Sequence, residues 1–372
     1  MTGFSYSPYR INKGFTLVEL MVAMVLGAFF LNGLLQIFSS TKQTYRVQEN
    51  LARLQENGRF AIDFISQDVR MAGYWGCGSK VPSITGLNAP SFFYMLEKNI
   101  PGKDKLEKTI EGFEATSAST WIPPLDPVFN QIWLDKVVEG SDVLVVRRVN
   151  AQGFSVLNHA PALANLQLDA TSKQLAEAGI TEGTVVIATD CTNAEAFQVT
   201  NKINPLEHKD IAATDETAKK AATPGNNLNN LLNTYRGGKV YAVNSVSYYV
   251  ATNRNNEKLL YRRTNGAVKP DELQLVDGVE QMQVLYGVDT ATDDDSSPNY
   301  YVKANLVNDW KNVVSVRISL LLATLDDNIA ERSLPLPYPF NDASVNGENP
   351  IPTDRKIRRA FTSTIAIRNR LK

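Results

Sequence analysis

The first strong pattern along the chain is an apolar run at residues 14–38, GFTLVELMVAMVLGAFFLNGLLQIF, broken by one charge at Glu19. The stretch from Leu20 to Leu35, with its flanks, is long enough to cross about 30 Å of hydrocarbon as a helix. Beyond it the period changes. Val47, Leu51, Leu54, Gly58, Ile62, Ile65 and Val69 recur every three or four residues, with Gln48, Glu49, Arg53, Glu56, Arg59 and Asp63 on other faces. That is the apolar stripe of an amphipathic helix. No proline lies between Pro8 and Pro82, so a single helix is predicted from Phe15 to about residue 70, about 85 Å long at 1.5 Å per residue. Gly73, Gly76 and Gly78 mark its end, and Gly27, Asn32 and Gly33 are the weaker points where it would bend.

From residue 80 onward the pattern is that of strands and loops. DVLVVRRV (142–149) and TVVIAT (184–189) read as buried strands. Val240–Ala251 and Lys258–Arg263 flank the polar turn Asn253–Glu257 and read as a β-hairpin. Gln281–Val288, Val313–Thr324 and Arg359–Arg368 complete the set. In the last, Phe361, Ser363, Ile365 and Ile367 share one face by period two. Residues 84–136, the Asn-rich 201–238 (with GNNLNNLLN) and the Pro- and Asn-rich 333–353 read as loops. No internal repeat occurs. One long helix followed by strands predicts an α+β fold, with an antiparallel β-sheet-rich globular domain packed on the helix.

Charge changes this picture little. The 38 basic and 39 acidic side chains nearly balance, which does not suggest a nucleic-acid binder. Candidate chemistry is sparse. The two histidines, His159 and His208, sit in polar surroundings and are expected to be exposed loop residues. No HExxH, CxxC, P-loop glycine pattern or G-x-S-x-G is present, so no enzyme activity and no cofactor are expected. The acidic segment DTATDDDSSPN offers Asp289, Asp293, Asp294 and Asp295 as a weak calcium candidate. It lacks the turn glycine and closing glutamate of an EF-hand, and reads as a solvated hairpin loop. The C-terminal cluster Arg355, Lys356, Arg358, Arg359, Arg368, Arg370 and Lys372 has only Phe361 for base stacking. It reads as an edge strand whose charges discourage aggregation.

Glu19 is the informative residue. A carboxylate in hydrocarbon costs several kcal/mol unless it finds a partner, so ordinary anchors avoid one. The segment G-F-T-L-V-E, preceded by Arg10 and Lys13, resembles the class III signal of type IV pilins and type II secretion pseudopilins. The resemblance implies that prepilin peptidase cuts between Gly14 and Phe15 on the cytoplasmic side and methylates the new Phe15 amine. It also implies that Glu19 meets the Phe15 amine of a neighbouring subunit during filament assembly, a pairing that would offset its burial. A plain uncleaved anchor, or a secretory signal cut near Ser39 to Thr41, would give Glu19 no such role or require an unusually long leader. Further stretches resemble the PilW-type minor pilins: LQENGRFAIDFISQDVRMAGYWGC (54–77), DVLVVRR (142–148), DCTNAEAFQVT (190–200), LVDGVEQMQVLYGVDT (275–290) and NDWKNVVSVRISLLL (308–322). The related J-type minor pseudopilin of type II secretion is the alternative within the same architecture, and a membrane-anchored periplasmic protein of another kind is the alternative outside it.

The resemblance implies a pilin-like layout. Residues 1–14 would be a cytoplasmic leader, 15–75 the long helix with a transmembrane and assembly segment at 15–38, and 76–372 a periplasmic β-rich domain. Loss of residues 1–14 removes Arg10 and Lys13 and no acid, leaving 36 basic against 39 acidic side chains, a net of −3. Those basic residues would hold the N-terminus in the cytoplasm and place the rest beyond the inner membrane. In that oxidising compartment Cys77 and Cys191 are expected to pair as a disulfide, the other arrangement being two unpaired buried thiols. The implied partners are other minor pilins and the major pilin, prepilin peptidase, the inner-membrane assembly platform, a tip adhesin and the inner membrane itself, without nucleic acid. The implied function is to prime type IV pilus assembly and enter the pilus at or near its tip.

Overall fold

The computed structural model describes residues 14–78, 91–94, 106, 108–117, 120–125, 137–160, 165–199, 210–212, 226, 231–265, 271–290, 296–340 and 351–370. Two compact units divide the chain, Met1–Ala52 and Arg53–Lys372. Helix α1, Leu17–Arg70, is unbroken across Gly27, Asn32 and Gly33. The Asn32 side-chain amide donates back to the carbonyl of Ala28 at 3.0 Å, so its polarity is satisfied within the helix. The helix stops where Gly73 and Gly76 adopt φ values of +71° and +72°, conformations that a Cβ disfavours.

The strands are β1 (Ser91–Tyr94), β2 (Ile110–Ser117), β3 (Thr120–Ile122), β4 (Val143–Ala160), β5 (Asn165–Leu168), β6 (Val185–Thr189), β7 (Asn193–Gln198), β8 (Asp210–Ala212), β9 (Lys239–Thr252), β10 (Lys258–Asn265), β11 (Asp271–Asp277), β12 (Val279–Val288), β13 (Tyr300–Val302), β14 (Val313–Ala323) and β15 (Arg358–Ala366). The first sheet runs β1-β7-β6-β9-β4-β2-β3. β10 and β11 extend from β9, and β5 and β8 extend from β4. The second sheet is β13-β12-β14-β15. Among the described residues every strand pairing is antiparallel except β1 with β7. The expected hairpin is β9–β10, with Lys258 opposite Thr252.

The helical stripe between Arg53 and Arg70 explains the packing. Leu54, Ala61, Ile65 and Val69 are buried against Leu144, Val146, Val246, Tyr248 and Leu260 of the first sheet, and against Met282, Val284, Val316, Ile318 and Leu320 of the second. A Cβ on Gly58 would lie 2.6 Å from the ring of Phe361 on β15, so only glycine admits this approach. A second core forms farther along β4 and β9. There Phe154, Leu166, Leu168, Phe197 and Tyr235 close over the short helix α2, Ser172–Glu177. The Thr171–Gln174 capping box starts that helix.

The loop before β4 joins the two sheets. The Asp142 N–H donates to the carbonyl of Met282 at 2.9 Å, and its Oδ2 accepts the Val284 N–H at 2.8 Å. Ser141 Oγ accepts the Met282 N–H at 3.1 Å, and the side-chain amides of Gln281 and Gln283 both donate to the carbonyl of Gly140 at 2.7 Å. The edge of β12 that β13 leaves open is therefore covered.

The region 84–136, read as loop, contains β1, β2 and β3. Burial of charge hid β2 from a pattern reading. Glu111 is buried because Arg147 holds it at 2.7 Å, and Glu114 because Lys303 holds it at 2.9 Å. His159, expected in an exposed loop, is instead buried in β4, where its Nδ1 accepts the backbone N–H of Tyr235 at 3.1 Å. His208 lies outside the described residues.

Candidate functional site

The site singled out by sequence is the start of α1. Gly14, Phe15 and Thr16 precede the first helical residue, Leu17. Phe15 is 88 % exposed. The Thr16 hydroxyl accepts the Glu19 N–H at 3.3 Å, while Glu19 Oε2 accepts the Thr16 N–H at 2.9 Å and the Thr16 hydroxyl at 3.0 Å. The carbonyl of Thr16 takes the first helical bond, from the Leu20 N–H at 3.2 Å. This is a capping box: threonine at the N-cap and glutamate at the third helical position satisfy each other's backbone donors. Its signature, T-x-x-E before an apolar run, is present at Thr16-Leu-Val-Glu19, and the sequence reading passed over it. Glu19 thus has an acceptor role within its own chain, next to the partnership that resemblance implies.

The surface beyond the box is apolar and uncovered. Residues from Leu17 to Phe38 are exposed all round, Phe29 at 76 %. So wide an apolar surface is stable only against lipid or other apolar helices. Polar residues first accumulate after it, and Thr41 and Thr44 return their hydroxyls to the carbonyls of Ile37 and Ser40. By length and composition this helix passes as a membrane span.

At its other end α1 is held by a buried charge. Asp68 Oδ1 accepts Arg148 Nε and Nη2 at 3.0 and 2.8 Å. Its Oδ2 accepts the Tyr248 hydroxyl at 2.6 Å and Arg262 Nε at 3.0 Å. Burial alone would raise the Asp68 pKa. The Tyr248 hydroxyl and the two guanidiniums outweigh that and hold it below the usual carboxylate range. Burial and the Asp68 charge push Tyr248 upward, so it stays a neutral donor. Sequence reading placed Asp68 in no role. Its position on the stripe, one residue before Val69, was the available signal.

Just past the helix, Cys77 and Cys191 are bonded, with S–S 2.09 Å and Cα–Cα 4.9 Å across 114 residues. The bridge ties the segment after α1 to the β6–β7 turn. There the Asp190 carboxylate collects the Thr192 N–H and hydroxyl and the Asn193 N–H at 2.6 to 2.9 Å. Asp289 follows β12 and donates its N–H to the carbonyl of Asn312 at 2.9 Å, whereas Asp293, Asp294 and Asp295 lie outside the described residues. Glu195, fully buried, accepts four bonds at 2.8 to 2.9 Å, from the N–H groups of Leu232 and Asn233, the Asn233 amide and the Tyr235 hydroxyl. With Glu195 and His159 Nδ1 both committed to the 231–235 segment, this constellation shapes a loop.

The C-terminal cluster divides. Arg358 is half-buried and bridges Glu280 and Asp354, each with a bond of 2.7 Å, so its charge is spent inside the sheet end and does not guard the strand edge. Those carboxylates supply the compensation that its burial requires. Arg359 and Arg368 are exposed.

Residues 247–369 match the family Type IV Pilus-assembly protein W, and residues 9–31 match the Prokaryotic N-terminal methylation motif. The first match begins within β9 and runs through β15. The pilin-like protein PilA3 of Thermus thermophilus is 31 % identical over 87 residues, which is 21 % of this chain and 37 % of that protein. This chain therefore spans little more than a third of that relative. Among solved structures, a type IV-like pilin from Thermus thermophilus aligns over 35 % of this chain and 67 % of its own, at 16 % identity and a TM-score of 0.22.

Proposed function

We propose that this chain, a type IV pilin-like protein of the PilW type, is a minor pilin that primes pilus assembly with other minor pilins and enters the filament at or near its tip. One observation carries the reading. An apolar half-helix with no cover of its own begins at a capped acid, Glu19, directly after a Gly14–Phe15 junction. The cap contributes about 1 kcal/mol, less than the several kcal/mol that a carboxylate costs in hydrocarbon, so a span that served only as an anchor gains nothing from this acid. In the proposed sequence of events α1 enters the inner membrane with its basic leader in the cytoplasm and the Arg53–Lys372 unit in the periplasm. Prepilin peptidase then cleaves after Gly14, and Phe15 is methylated. On assembly Glu19 exchanges part of its bonding to Thr16 for the Phe15 amine of an adjacent subunit, which fixes register through one buried charge pair. The protein acts by binding, not catalysis, through its helix and the surfaces of the globular unit.

The test uses two strains. Gly14→Val should leave a full-length chain in the membrane, since the peptidase needs a small residue before the cut. Glu19→Ala should be cleaved like wild type, while its crosslinking to other minor pilins and the number of surface pili both fall. A wild-type protein whose mass shows the leader intact would overturn the reading.

A further inference from the structure

We propose that the outer edge of β15 is a strand-addition site for an extended segment of another protein subunit, one with an uncharged β-branched centre and carboxylates at both ends. This stands on the second sheet alone and does not depend on the pilus reading.

Native sheets protect their edges by shortness, charge or cover. Among the described residues the other sheet ends follow that rule. β1 has four residues, and β3, β8 and β13 have three each. β11 has seven but carries Asp271, Glu272 and Asp277. The open edge of β12 is covered by the 140–142 loop. β15 is different. It is nine residues long, pairs on one side with β14, and ends its sheet. From Ala360 to Ala366 it reads AFTSTIA, seven residues without charge, proline or glycine.

The direction of its backbone groups follows from one bond. The Ile367 N–H donates to the carbonyl of Val314 at 2.9 Å, and Ser315 stands opposite Ala366. In an antiparallel ladder alternate residues bond inward. Ile365, Ser363 and Phe361 therefore face β14, and Ala360, Thr362, Thr364 and Ala366 turn N–H and C=O outward. The side chains of Thr362, Thr364 and Ala366 are exposed. Thr362 and Thr364 are already steadied, by Ser319 Oγ at 2.9 Å and Arg317 Nε at 3.2 Å, so an incoming strand meets an ordered edge.

Charge selects the occupant. Exposed Arg359 and Arg368 flank the uncharged stretch at its two ends, and Lys356 is partly exposed nearby. A second β15 would bring arginine against arginine in either direction. An acid-flanked strand gains opposite charges at both ends, together with main-chain bonds along the middle.

The test follows amide exchange in the full chain held in detergent micelles. The probe is a synthetic peptide of alternating valine and threonine with glutamates at both ends, and its control has lysines there. The glutamate peptide should slow exchange at Ala360, Thr362, Thr364 and Ala366, and the lysine peptide should bind several-fold more weakly. Thr364→Pro deletes an outward N–H, which an edge strand tolerates, and should abolish the protection. Should that variant fail to fold, Arg359→Glu combined with Arg368→Glu should invert the preference between the peptides. Unchanged exchange at the four amides with the glutamate peptide would overturn the proposal. So would equal protection in Thr364→Pro, or protection that appears without peptide as protein concentration rises, because a second copy would then be the occupant.

Discussion

A single proton decides the fate of His159. Its Nδ1 accepts the Tyr235 N–H, so the ring must be neutral there to act as acceptor. Burial, opposed by the nearby Glu195 charge, depresses its pKa below the ordinary histidine value. In the unfolded chain that value is about 6.5. Above it both states are neutral and His159 adds no pH dependence. As pH falls below about 6.5 the unfolded state takes up a proton that the folded state resists, so stability declines until the folded pKa is passed. Thermal denaturation between about pH 7 and pH 5 should therefore show a falling Tm. His159→Asn, whose side-chain oxygen offers an acceptor without titrating, should remove part of that slope. An equal slope in the variant would assign the effect elsewhere. Glu19 makes the same point in another setting: a side chain's role is set by the donors it faces. The Thr16 box caps the first turn, and caps of this kind contribute about 1 kcal/mol. Glu19→Ala thus loses a cap as well as the proposed pairing with a neighbour's amine, and membrane insertion of the variant gains less than relief from a buried acid alone would give.

At the scale of elements, the contact of α1 with the second sheet rests on Gly58. Glycine in a helix interior costs about 1 kcal/mol relative to alanine. Here it is retained because Phe361 occupies the space of its Cβ. Gly58→Ala should therefore destabilise the globular unit by about 1–3 kcal/mol, despite alanine's better propensity, through overpacking. Phe361→Leu in the same chain should recover part of the loss. Urea denaturation of the four species of the cycle would measure the coupling, and additive losses would show that the two residues do not press on each other. The stripe containing Gly58 was legible because it follows helical period, and β9, β10, β12, β14 and β15 because their apolar positions follow period two or run on unbroken. What escaped was structure built on buried charge. β2 reads as loop while Glu111 and Glu114 are counted as solvent-facing, and β7 is masked by Glu195, whose carboxylate is buried among four donors. The main partners that make such burial tolerable, Arg147, Lys303 and the 231–235 backbone, lie 36 or more residues away in sequence, and only the half-exposed Lys108, at 3.5 Å from Glu111, is near. No local pattern joins them. The capping box at Thr16 is the opposite case, a local signal carried whole by four consecutive residues, Thr16 to Glu19.

Across the whole molecule the cores lie in the Arg53–Lys372 unit, while Met1–Ala52 contributes, in its described residues, the first part of α1 and the three residues before it. Resistance to unfolding must then reside in the second unit, and the Cys77–Cys191 bond is its one covalent tie among the described residues. That bond joins the segment leaving α1 to the β6–β7 turn, and so restrains the helix end through a tie separate from the contacts of Asp68 and the apolar stripe. Loop-entropy reasoning gives an upper bound of about 4–5 kcal/mol for a loop of this size. The bridge closes 114 residues that include the strands β1 to β6, so opening it frees a large part of the first sheet in the unfolded ensemble. Cys77→Ser should lower the Tm by several degrees and make Cys191 available to alkylation. Digestion without reductant should yield one linked pair of peptides from wild type and none from the variant. The ion pairs of Asp68 would still hold α1 against β4 and β10 in Cys77→Ser, so the variant should fold to the same sheet structure with a shorter lifetime against protease. Combining it with Asp68→Asn removes both restraints at the helix end. If they act on one element, the combined loss of Tm should exceed the sum of the single losses; a strictly additive result would show that the bridge and the buried carboxylate stabilise separate parts of the unit.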